Sequence, residues 1–200
     1  MAFESMADDI ATLAKHLGID NAEVMGYSLD AGVALHMAVR HANLTRRLVL
    51  VSTAFKPDGW YPEILAGMAQ VGAGTAEAMK QTEMYQMHSR IAPKPADWPV
   101  LLSKIGDLPR KNYDWSNDVA SIKIPAMLVF ADADAIPPTH AAQFFELLGG
   151  GKKDGGWDGS GISTTRLAIL PGLTHYNIFS SPLQASTVTS FLDAQSRTAK

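Results

Sequence analysis

The segment Gly26-Tyr27-Ser28 is where the sequence offers a nucleophile. A serine that attacks a substrate must stand clear of its strand and near a helix N-terminus, where backbone N–H groups can stabilise a developing oxyanion. Ala22 to Tyr27 reads as a short strand and Ala31 to Ala38 as a buried helix, so Ser28 falls at a strand–turn–helix junction. The pattern G-x-S-x-G describes a nucleophile elbow, whose glycines are demanded by the close approach of strand and helix. Here the pentad is Gly26-Tyr27-Ser28-Leu29-Asp30, with aspartate in the last place. A serine at a helix start also serves as an ordinary N-cap, so the pentad alone does not decide.

Two further pieces follow in the order Ser, Asp, His, each just beyond a predicted strand. Ala131-Asp132-Ala133-Asp134-Ala135-Ile136-Pro137-Pro138 places carboxylates on one loop, and Leu170-Pro171-Gly172-Leu173-Thr174-His175 places a histidine on another. In parallel α/β sheets, ligands gather outside the carboxyl ends of the strands. Three loops can therefore bring Ser28, an aspartate and His175 together despite their separation in sequence. For His16, His36, His41, His88 and His140 the reading is helix surface or packing.

The elements that must position these groups are visible as apolar patterns. Met6, Ile10, Leu13 and Leu17 recur at steps of four, three and four, which puts one apolar stripe on a helix from about Ser5 to His16, with Gly18 as its stop. Arg47–Ser52, Ala126–Phe130 and Arg166–Leu170 read as further strands separated by helical stretches. This alternation predicts an α/β architecture: a parallel sheet flanked by helices. Residues 1–54 and 119–200 are assigned to that core, and 55–118, broken by several prolines, to an inserted helical cap. The insert carries Trp60, Trp98 and Trp115, which suit either an apolar lid over a pocket or the insert's own packing. The Gly-rich run from Gly149 to Gly159 lacks the spacing of a phosphate cradle and reads as a flexible connection.

An apolar fraction of 46% with 18% charged residues suits one globular domain. A net charge of −3 without a basic run excludes the electrostatic footprint of a nucleic-acid or anionic-membrane binder and favours a small-molecule substrate. Cysteine is absent, so chemistry must come from Ser, His and carboxylates. No targeting segment or long apolar stretch is visible, and the expectation is a cytoplasmic protein.

From Met6 to about Leu192 the sequence resembles the α/β-hydrolase-fold superfamily, and within it an esterase-like serine hydrolase. The residues responsible are Ala7-Asp8-Asp9-Ile10, Gly26-Tyr27-Ser28, the Ala131-to-Pro138 segment and Gly172-Leu173-Thr174-His175. The resemblance implies Asp134 as the triad acid, with Asp132 as fallback, and His175 as the base that takes the Ser28 proton. It implies the Leu29 N–H as an oxyanion donor with Tyr27 beside it at the substrate, small or medium carboxylic esters as substrates, and neither metal nor organic cofactor. Two departures stand out. The family's sheet places four strands ahead of the elbow, including the loop that supplies a second oxyanion donor, whereas this sequence opens at the helix before the elbow strand. That strand would become an open sheet edge, which leads to the expectation of a homodimer covering it. The second departure is Asp30, close to the oxyanion position. Together they keep open an alternative: an impaired or inactive truncated fold serving as a binding module.

Overall fold

A computed structural model describes residues 1–110 and 113–194. Four strands, β1 (Ala22–Tyr27), β2 (Thr45–Val51), β3 (Ala126–Ala133) and β4 (Arg166–Thr174), form one parallel sheet in chain order. The two central strands are near-continuous apolar runs because both of their faces are covered. Leu48, Leu50, Leu128 and Phe130 face α2 (Leu29–Arg40), α6 (Ser116–Ser121) and α7 (Pro138–Leu147). Val49, Val51, Met127 and Val129 face Ile178 and Val188, the latter on α8 (Pro182–Leu192). All four expected strands are present. β3 and β4 continue beyond the apolar runs, with an irregular register between Ala131 and Ala133.

The first helix, α1 (Phe3–His16), starts two residues earlier than the periodicity suggests, and it buries a different face. Ala7 and Ala11 pack on Met37 of α2 and on Leu44, whereas Ile10, Leu13 and Leu17 are 47%, 51% and 62% exposed. Small side chains let the two helices approach closely, so the larger apolar stripe is turned outward. Asp8 fastens the pair: Arg40 donates to both of its carboxylate oxygens at 2.9 and 2.7 Å, and the His41 Nε2 lies 2.8 Å away. The Arg40 and His41 hydrogen bonds hold the Asp8 carboxyl down at about 2.

Between β2 and β3 the chain is helical, with α3 (Pro62–Gln70), α4 (Glu83–Ile91) and α5 (Trp98–Arg110) preceding α6. Ala76, Trp98 and Leu102 form a small separate core there, and the Trp98 indole donates to the Ala76 carbonyl at 3.0 Å. Gly106 is required by close contact, since a Cβ at that position would lie 1.9 Å from the Val71 carbonyl oxygen. Trp115 instead belongs to the main core, edge-on to Phe3 and His36. The Gly-rich run folds back on itself through Gly156 N–H to Asp154 and Gly161 N–H to the Gly155 carbonyl, leaving Trp157 fully exposed at its tip. Among the described residues, no helix is long and apolar enough to cross a membrane.

Candidate active site

Ser28 sits between β1 and α2 with φ +53° and ψ −117°, a conformation that non-glycine residues adopt only when their surroundings impose it. The surroundings do so here. The Ser28 N–H donates to the Val51 carbonyl at 2.9 Å, and the Ser28 carbonyl accepts from Ala31 at 3.1 Å to start the helix. Gly26 lies where strand and helix come closest, because a Cβ there would fall 2.2 Å from the Asp30 carbonyl oxygen. The tight approach is thus met by the first glycine of the pentad. Asp30, in the last place, keeps an exposed side chain, though partial desolvation raises its carboxyl above the usual range.

Three loop residues meet in one hydrogen-bonded chain. The Ser28 Oγ lies 3.1 Å from the His175 Nε2, and the His175 Nδ1 lies 2.9 Å from the Asp134 Oδ1. An ionised carboxylate can only accept, so the imidazole carries its proton on Nδ1 and turns the lone pair of Nε2 toward the serine. Asp134 also accepts from the Ala135 N–H at 2.8 Å, the Ala131 N–H at 3.0 Å and the Ser52 hydroxyl at 2.5 Å. Burial opposes its ionisation, but the hydrogen bonds from His175, Ser52 and Ala131 outweigh that and hold its carboxyl below the ordinary value. Asp132 is exposed and does not touch the imidazole; it accepts from the Leu173 N–H at 3.3 Å, bracing the end of β4 that leads into His175.

Tyr27 is drawn into the same cluster differently from the sequence expectation. Its hydroxyl donates to the His175 carbonyl at 2.5 Å, while its ring packs against Phe179 and the His175 imidazole. Burial, with the Asp134 charge adding to it, pushes the Tyr27 phenol up to about 12, so it remains a donor. That bond commits the hydroxyl to the histidine loop. Leu29 is the first residue of α2, whose leading N–H groups have no acceptor within the helix. Of the three tryptophans expected in the insert, Trp60 alone contacts the Ser28–His175–Asp134 cluster, edge-on to His175 with ring centres 5.7 Å apart. Ser52 had no signal in the sequence beyond its place at the end of a strand. Among the described residues, no group of three or more His, Cys, Asp or Glu side chains could hold a metal ion.

A family model described as the alpha/beta hydrolase fold matches residues 1–87. A pimeloyl-[acyl-carrier protein] methyl ester esterase of Neisseria meningitidis serogroup B is 28% identical over 142 residues, which is 62% of this chain and 55% of that protein. The chain therefore spans little more than half the length of the curated relative it matches. Solved structures agree on the fold. The enol-lactonase from Burkholderia xenovorans LB400 aligns with a TM-score of 0.61 at 20% identity, over 97% of this chain and 74% of the other. MGS-M2, an alpha/beta hydrolase enzyme from a deep-sea metagenome library of the Medee basin, gives 0.65 at 20% identity over 97% and 73%. A meta-cleavage product hydrolase from Pseudomonas fluorescens IP01 gives 0.64 at 14% identity over 96% and 72%.

Proposed function

We infer that this chain, which has the α/β-hydrolase fold, is a serine hydrolase that cleaves small or medium carboxylic esters through an acyl-enzyme on Ser28. The observation that carries this reading is the unbroken Ser28–His175–Asp134 chain, at 3.1 and 2.9 Å, assembled from three loops at the carboxyl ends of the strands. As the Ser28 Oγ attacks the ester carbonyl, the His175 Nε2 takes its proton, and the Asp134 carboxylate stabilises the imidazolium that forms. The tetrahedral oxyanion finds the Leu29 N–H at the start of α2. Collapse expels the alcohol, which leaves with the proton from Nε2. Water then repeats the sequence and releases the acid. The 55–118 segment acts as a cap in this reading, with Trp60 beside the imidazole.

The ester class is favoured by the methyl ester esterase among the relatives. The test is hydrolysis of short p-nitrophenyl esters by the protein and by Ser28→Ala, together with covalent labelling by an organophosphonate. We expect turnover to fall on the order of 10³-fold or more in the variant, with labelling confined to Ser28. Equal turnover in both proteins, or none in either, would reject the serine-hydrolase reading; the second outcome points to a catalytically silent fold.

A further inference from the structure

Ser52 follows β2 directly, is fully buried, and has φ +49° although it is not glycine. A left-handed conformation at such a residue is a constraint imposed from outside, and it calls for a reason. Its N–H donates to the Val129 carbonyl at 2.9 Å, which fixes the turn, and its hydroxyl then reaches the Asp134 Oδ2 at 2.5 Å. With that bond, both carboxylate oxygens have two donors. Oδ1 receives the Ala135 N–H and the His175 Nδ1; Oδ2 receives the Ala131 N–H and Ser52. The two backbone donors belong to the segment that carries Asp134 and would move with it. Ser52 comes from the neighbouring strand, 82 residues away in sequence, and so fixes the rotation of the carboxylate relative to the sheet.

We propose that Ser52 is a positioning residue for the hydrolysis inferred above, a proposal that rests on the triad reading. Its hydroxyl locks Asp134 in the orientation that offers Oδ1 to His175, and it disperses part of the carboxylate charge onto Oδ2. The proton of Ser52 stays on its oxygen throughout. The ionisable groups facing the imidazole are Asp134 and the phenols of Tyr27 and Tyr176, so the carboxylate is the charge through which Ser52 acts.

Two variants separate this role from a merely conformational one. Ser52→Gly adopts the positive φ freely but has no hydroxyl, and Ser52→Ala lacks both advantages. With p-nitrophenyl esters we expect both to lose kcat on the order of tenfold with little change in KM, the scale of one hydrogen bond to a charged group. We also expect the acid limb of the kcat/KM profile to move to higher pH in both, because a carboxylate with one donor fewer holds a proton on the imidazole more firmly. A second readout needs no turnover: the downfield proton resonance of the His175 Nδ1 should shift in Ser52→Gly. Wild-type turnover that vanishes in Ser28→Ala but keeps its kcat and acid limb in Ser52→Gly would overturn the assignment of Ser52 and leave the hydrolase reading intact. An unchanged Nδ1 resonance in Ser52→Gly overturns it as well, whatever the turnover.

Discussion

At the carboxyl ends of the strands, each oxygen of Asp134 has two donors and Ser28 is pinned into a conformation it would not otherwise hold; along α1, alanines are buried while Ile10, Leu13 and Leu17 face outward. The first region is specified by directional bonds, each of which names its partner. The second is specified by a small-residue contact between helices and by the single charged cluster at Asp8, and its apolar stripe by itself names no partner. Periodicity tells which side chains share a face, whereas a saturated set of donors tells what that face is for.

Three substitutions would break or sharpen that contrast. The largest effect is expected from Gly26→Ala, whose methyl group must force β1 and α2 apart at a backbone contact. We expect a loss of roughly 2–3 kcal/mol in urea denaturation, together with collapse of Ser28-dependent turnover. Wild-type stability in this variant would mean that the elbow is looser than described. Tyr27→Phe is gentler, since it removes the hydroxyl that ties β1 to the His175 loop and keeps the ring against Phe179. Stability should fall by about 1 kcal/mol and kcat several-fold, with esterase kinetics and chemical denaturation as the checks. Last comes the α1 flank, where Leu13→Lys should change the stability of an isolated chain by no more than about 0.5 kcal/mol. We propose that a second copy covers this flank and the outer edge of β1, which pairs with no further strand among the described residues, so light scattering should give a dimer for the wild type and a lower mass for Leu13→Lys. A concentration-independent monomer in the wild type would discard the pairing.

Much of this arrangement was legible in the sequence, for identifiable reasons. The apolar runs at Arg47–Ser52 and Ala126–Phe130 marked strands because central parallel strands are buried on both faces. Ser28, Asp134 and His175 stood out because each follows such a run, in an order that the fold brings to one edge. Other features depend on contacts between distant parts of the chain. No local pattern shows that the Ser52 hydroxyl reaches Asp134 or that the Tyr27 hydroxyl reaches the His175 carbonyl, 148 residues away. The residues alone left Asp134 and Asp132 undivided, because both carboxylates sit on the same short loop; the resemblance implied Asp134, with Asp132 as fallback, and it is Asp134 that lies against the imidazole. The inner face of α1 was not legible for a simpler reason: periodicity marked an apolar stripe without saying which way it faces, and alanines permit the closer helix contact.

The cluster draws one residue from the end of every strand: Ser28 after β1, Ser52 after β2, Asp134 after β3 and His175 after β4. During synthesis Ser28 therefore emerges from the ribosome well before His175. The serine-hydrolase reading therefore requires β4 to dock on β3, which brings His175 to Ser28 and Asp134. In a refolding experiment, recovery of turnover would time the closing of the whole sheet, where circular dichroism would also register helices that form alone.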